Sequence, residues 1–135
     1  MDADDPDLSR FEKRGGKLIM YVGTADALIS PRGGVDYYNS VMKRMGARRV
    51  DIFARLFIIP GMQHCQGGLA PNAFGQAWIA PAVRPYPRYD VRLALEAWVE
   101  RGRPPQSITA VRYGGRKGVT AVAKRIIRAY AQHSK

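Results

Sequence analysis

Two short segments carry residue types that can do acid–base chemistry, and each follows an apolar run. Gly23-Thr24-Ala25-Asp26-Ala27-Leu28-Ile29-Ser30-Pro31 comes directly after Leu18–Val22, and Pro60-Gly61-Met62-Gln63-His64-Cys65 directly after Leu56–Ile59. In both, a buried-strand pattern ends in a Gly-containing turn that offers one ionisable group. An imidazole can take the proton of a hydroxyl nucleophile, and a carboxylate can fix its tautomer and stabilise the imidazolium that forms. Strand–turn triads of this kind run in the order Ser, acid, His. Asp26 and His64 are therefore the candidate catalytic residues. The nucleophile should precede Asp26, where only 25 residues stand. A lone Asp after a strand is usually a turn or cap residue, and a lone His near Gly a loop histidine. It is the pair, in order and each at a carboxyl strand end, that points to catalysis.

The chain offers no nucleophile of its own. Ser9, Ser30, Ser40, Ser107 and Ser134 are its serines, and none sits in G-x-S-x-G after a strand. Ser30 reads as the N-cap of a helix that Pro31 begins. The other histidine, His133, falls in the charged terminus and reads as solvated. Cys65 is the one cysteine, so an internal disulfide and a Cys-based zinc site are excluded. It is left as a small core residue, a free thiol or half of a bridge to something outside the chain. No His/Cys/acid spacing suggests a metal site, and the Gly pairs lack the residues of a phosphate loop.

These groups need elements to position them. Lys17–Val22 and Arg55–Ile59 have the length and apolarity of buried strands. Between them Val35, Tyr38, Val41, Met42 and Met45 recur at helical spacing, which predicts a helix over 31–45 stopped by Gly46. Residues 66–88, with four Pro and three Gly, read as loop. Tyr89–Arg101 reads as a helix with Val91, Leu95, Trp98 and Val99 as its apolar stripe, ended by Gly102 and Pro104-Pro105. Ile108–Tyr113 fits a short strand. Val119, Val122, Ile126, Ile127 and Tyr130 predict a basic amphipathic helix over 120–132. Strand–helix alternation argues for parallel βαβ units in a three-layer α/β fold. Two or three strands would leave one sheet edge without its neighbours, as expected of the C-terminal part of a larger domain.

The net charge is +11 over 135 residues. Residues 111–135 hold seven Lys or Arg and no acid, so most of the excess lies there. Such a segment could bind phosphate backbones or an anionic membrane, but it more often is a solvated face. With 46% hydrophobic residues the chain reads as globular. No apolar run approaches the ~20 residues of a membrane span. The acidic start Met1–Asp7 is not a signal peptide.

The segment Gly15–Pro31, then Tyr37-Tyr38, Phe57–Gly68 with its Gly-Met-x-His-Cys, and Leu93–Glu100 followed by Gly102, Pro104 and Pro105 resemble the tannase and feruloyl esterase family of α/β-hydrolases. The resemblance covers residues 15–110, with 1–14 as an irregular lead-in and 111–135 as a basic, partly helical tail that reads as a rearranged or replaced end. It implies hydrolysis of hydroxycinnamic, gallic or related aromatic-acid esters through an acyl-serine. Asp26 would be the triad acid and His64 the base. Cys65 would be one half of a disulfide to a cysteine beside the serine, which is missing here. That bridge implies an oxidising compartment, secreted or periplasmic, for the intact enzyme. No cofactor is expected in this chain, though family lids outside it often bind calcium. By this reading the isolated chain turns over no ester, and its partner is an ester substrate rather than nucleic acid. Three alternatives stand beside it: a small basic binding module using Val119–Lys135 on nucleic acid or anionic membrane, a remnant with no activity, and another α/β-hydrolase subfamily in which Cys65 is dispensable.

Overall fold

A computed structural model of the protein describes residues 4–131. Strand β1 (Leu18–Gly23) and strand β2 (Ala54–Ile59) pair in parallel, with Leu18 opposite Ala54 and Gly23 opposite Ile59. The connection between them is helical, as parallel pairing requires. Two short helices flank the long one: α1 (Ser9–Lys13), α2 (Pro31–Met45) and α3 (Ala47–Val50). Helix α2 has the predicted bounds, and Gly46, at positive φ, stops it by donating its N–H to Met42. After β2 a long irregular segment leads to α4 (Val91–Arg101), followed by strands β3 (Ser107–Gly114) and β4 (Thr120–Arg128).

The alternation of side chains along β1 and β2 sorts them onto two faces. Leu18, Met20 and Val22 with Leu56 and Ile58 pack against Tyr38, Val41 and Met42 of α2 and against Val50 and Phe53. Ile19 and Tyr21 with Phe57 and Ile59 pack on the other side against Phe74, Val91, Ile108 and Ile127. The sheet is thus covered on both faces, in an α/β architecture. Strand β2 is almost wholly buried, whereas β1 is only half-buried along most of its length. Arg55, nearly inaccessible, lies over the Trp98 ring of α4 at 5.1 Å from its centroid and pairs with Asp51 at 2.8 Å.

Four expectations are corrected. Residues 120–128 form a strand, not a helix: β4 pairs antiparallel with β3, Ser107 opposite Arg128 and Gly114 opposite Thr120. The same apolar positions fit both periods. The deciding signals are the Gly115 and Gly118 turn residues, both at positive φ, and the β-branched Thr120, Val122, Ile126 and Ile127. Strand pairing lets Ile127 reach the core beside Phe57, and Ala129 then bridges antiparallel to Phe57. The basic segment is therefore part of the core-bearing hairpin rather than a tail. Within the lead-in, Ser9–Lys13 are helical rather than irregular: α1 docks through Phe11 edge-on to Phe53, and Glu12 pairs with Arg49. In α4 the small Ala94 and Ala97 are buried while Val99 is exposed. Ser30 precedes α2, but its side chain makes no capping hydrogen bond. Asp90 does cap α4, accepting from the N–H groups of Arg92 and Leu93. His133 and Ser134 lie outside the described residues.

Candidate active site

Loop 24–30 leaves the carboxyl end of β1, and loop 60–71 leaves the carboxyl end of β2. Parallel pairing in register puts the two ends side by side, and backbone bonds then lace the loops together. Thr24 donates its N–H to Ile59 O at 3.0 Å, and Ala25 to Met62 O at 2.9 Å. The Thr24 hydroxyl accepts from Gly61 N–H at 2.8 Å. The approach is close because Gly23 has no side chain: a Cβ there would lie 2.3 Å from Met62 O and 2.6 Å from Gln63 O. Gly68 has the same role one turn later, where a Cβ would lie 2.0 Å from Gly61 O. From sequence, Gly23 reads as the glycine of the turn after the first apolar run, and Thr24 carries no role of its own. The Gly-Thr pair just after an apolar run was the available signal.

The lacing brings Asp26 and His64 together. Asp26 Oδ2 lies 2.8 Å from His64 Nδ1. Its other oxygen accepts the N–H groups of Leu28 at 2.8 Å and Ile29 at 2.9 Å, so the carboxylate is aimed by its own turn. These bonds hold Asp26 below the usual carboxylate range: the Ile29 N–H contributes most, the His64 and Leu28 bonds add to it, and burial opposes them. An ionised carboxylate can only accept, so Nδ1 of His64 donates to it. Nε2 is then the basic nitrogen, the tautomer a general base needs. Asp26 is largely covered, its side chain 10% exposed, whereas that of His64 is 43% exposed.

Cys65 follows in the left-handed region at φ 61°, the only non-glycine at positive φ among the described residues, and its thiol is free and exposed. Gln76 holds this turn: its amide donates to Cys65 O at 3.2 Å and Asn72 O at 2.6 Å, while its carbonyl accepts from Phe74 N–H at 2.8 Å. The Pro- and Gly-rich segment read only as loop thus supplies a brace, and in Phe74 a fully buried core residue.

Two hollows flank the pair. One, about 210 Å³, is lined by Tyr21, Val22, Gly23, Ser30, His64 and Cys65 at the carboxyl end of β1. Ser30 lines it without hydrogen bonding to His64. The other is an open cleft of about 680 Å³ running from Asp26 and His64 past Ile79 and Ala80 to Arg112 and Tyr113 on β3. Among the described residues, no group of three or more His, Cys, Asp or Glu is placed to hold a metal ion. No helix among them is long and apolar enough to cross a membrane.

The family model described as "Tannase and feruloyl esterase" matches residues 1–135, so the match runs through the basic hairpin as well. Among curated proteins, the chain is 40% identical over 125 residues to an uncharacterised esterase of Xanthomonas campestris, covering 84% of this chain and 22% of that protein. It is 39% identical over 125 residues to a mono(2-hydroxyethyl) terephthalate hydrolase of Piscinibacter sakaiensis, covering 91% of this chain and 17% of that one. Of solved structures, feruloyl esterase B from Aspergillus oryzae superposes with a TM-score of 0.86 at 35% identity, over 93% of this chain and 25% of the other. The chain thus spans about a fifth of the length of these curated relatives.

Proposed function

The chain belongs to the tannase and feruloyl esterase family, and from this we propose that it supplies the acid–base half of a carboxylic ester hydrolase acting on aromatic-acid esters. The observation that carries the proposal is the 2.8 Å contact between Asp26 Oδ2 and His64 Nδ1 at the adjoining ends of two parallel strands. His64 takes the proton of a serine hydroxyl as the oxygen attacks the ester carbonyl. It returns that proton to the leaving alcohol when the tetrahedral intermediate collapses to the acyl-serine. Water then attacks the acyl-serine, with His64 again as base and then acid, and the carboxylic acid leaves. Asp26 orients the ring and stabilises each imidazolium. The serine comes from outside this chain, as do any calcium-binding lid and the oxyanion donors.

Cys65 extends the proposal. A left-handed non-glycine residue carries backbone strain, of the sort kept where function requires it. Here the strained residue is exposed and lines the small hollow next to His64. A disulfide from Cys65 to a cysteine next to the serine would staple nucleophile to base, and would place the intact enzyme in an oxidising, secreted or periplasmic setting.

A chimera in which this chain replaces the matching quarter of the Aspergillus oryzae enzyme tests the reading, with a methyl hydroxycinnamate as substrate. Turnover should fall by about 10⁴-fold in Asp26→Asn and at least as far in His64→Ala, with folding checked by circular dichroism. A folded chimera that is inactive, or one indifferent to His64→Ala, would refute it. The alternative of a basic binding module on Val119–Lys135 would have to use a segment that over 120–128 is a strand paired with β3 rather than a helix.

A further inference from the structure

The cleft beside Asp26 and His64 contains one charge that the triad chemistry does not use. Of the residues lining it, Asp26, His64, Arg112 and Tyr113 are ionisable. Asp26 is committed to His64 and to two backbone N–H groups. Tyr113 donates its hydroxyl to Pro81 O at 3.1 Å, and burial raises its pKa, so it stays neutral. Arg112 is exposed, and no carboxylate pairs with it among the described residues.

The placement of Arg112 is built into the fold. Its neighbour Val111 is fully buried and exchanges hydrogen bonds with Ala73 at 2.9 Å in both directions, which ties β3 to the loop forming the cleft wall. The β3–β4 register shifts between Arg112 and Tyr113. Irregularities of this kind re-aim a side chain next to a site. The remaining wall is mostly apolar, with Leu28, Ile79 and Val111, and carries the uncharged amides of Gln63, Gln66 and Asn72. An apolar trough with a reactive pair near one part and a free guanidinium at another fits a ligand with an apolar body and an anionic end. A guanidinium fork matches a carboxylate in particular, by two parallel hydrogen bonds. The volume, about 680 Å³, is that of a small-molecule site.

We propose that Arg112 is a specificity residue and that the cleft takes esters bearing a second, ionised carboxylate on the end remote from the scissile bond. This rests on the reading of Asp26 and His64 as the acid–base pair, but its test needs no turnover. The 135-residue chain is titrated with methyl 4-carboxycinnamate and with methyl 4-carbamoylcinnamate, which has the same shape without the charge. Binding is followed by the backbone amide NMR signals of Ala25, Gly67 and Tyr113. The anion should bind about tenfold more tightly than the amide. Arg112→Gln should shrink that preference to within about twofold, and Arg112→Lys should keep part of it, since Lys retains the charge but loses the fork. Arg128→Gln, at the far end of the hairpin, should change nothing.

Equal binding of the two probes by the unaltered chain overturns the role of Arg112 while leaving the cleft a binding site. Loss of the preference in Arg128→Gln overturns it too, because diffuse charge would then be responsible. If neither probe moves the cleft signals, both this assignment and the cleft as substrate site fall. An inactive, folded chimera with the probe preference intact would refute only the esterase reading and leave Arg112 an anion-binding residue.

Discussion

Gly23→Ala perturbs the site without touching a reacting group. The added Cβ would sit 2.3 Å from Met62 O, about 0.7 Å inside the 3.0 Å that real Cβ contacts essentially never breach, and 2.6 Å from Gln63 O. Both obstacles are backbone carbonyls, so no side-chain rotation relieves the overlap. Met62 O is also the acceptor of Ala25 N–H, so moving it away strains the bond that holds the Asp26 loop to the His64 loop. The relief is a separation of the loops by most of an ångström, and the 2.8 Å contact between Asp26 and His64 is what spans them. Overpacking of this kind costs about 1–3 kcal/mol. A misplacement approaching 1 Å costs up to about 10²-fold in rate. Two readouts follow: thermal unfolding of the chain, and the ¹⁵N signal of the His64 ring, which reports whether Nδ1 still donates to a carboxylate. The control is Gly33→Ala in the first turns of α2, where a Cβ meets nothing within 4 Å. It should leave the ring signal alone and stabilise the helix by up to about 1 kcal/mol. A Gly23→Ala chain with unchanged unfolding temperature and ring signal would refute the argument that this glycine sets the geometry of the pair.

Two further predictions concern the frame around the site. Tyr38, buried against β2, donates to Ala54 O, and burial pushes its pKa up to about 12. Its folded value exceeds its unfolded value, so its contribution is complete below about pH 10 and lost as pH rises toward 12. Allowing for partial screening, the loss is about 2 kcal/mol, measured as the difference in denaturant midpoints between the chain and Tyr38→Phe across that window. Parallel pH dependence in the two would count against it. Asp90→Ala removes the α4 cap, whose carboxylate accepts from Arg92 N–H at 2.9 Å and Leu93 N–H at 3.3 Å. It should cost about 1 kcal/mol, seen as a fall of about 3–5 °C in unfolding temperature, and no change there would mean the cap is idle.

What was legible in the sequence had a local cause. Pro31 and Gly46 bound α2 because one fixes φ at a helix start and the other tolerates the conformation of a helix end. Asp26 and His64 could be paired because two apolar runs of strand length imply parallel neighbours whose ends must adjoin. What was illegible depended on partners far away in the chain. The spacing of Val119, Val122, Ile126 and Ile127 fits a helix as well as a strand, and only the pairing of β4 with β3 and the seat of Ile127 beside Phe57 decide between them. Phe74 sits in a Pro- and Gly-rich segment with no period, so nothing local marks it as core. Arg112 looked like one of seven basic residues in a tail, and its place in the cleft depends on the Val111–Ala73 bonds that no local pattern announces.

Strands β1 and β4 each have an edge that no strand pairs along most of its length among the described residues, and the two edges differ in charge. Leu18 and Thr24 donate their N–H groups toward β2. With a period of two, Ile19, Tyr21 and Gly23 therefore turn their N–H and C=O groups to the opposite side, where no strand pairs with β1 among the described residues. Strand β4 carries Lys124, Arg125 and Arg128, all exposed, charges of the type that discourage another strand from adding to an edge. Strand β1 reads Leu-Ile-Met-Tyr-Val-Gly, with no charge at all. An apolar, unguarded edge is costly in water unless something pairs with it. The hollow lined by Tyr21, Val22, His64 and Cys65 adjoins the carboxyl end of β1. On the proposed reading of Asp26 and His64, further sheet pairing along the free edge of β1 would be the route by which a serine reaches the carboxyl end of that strand, where His64 and Cys65 line one hollow.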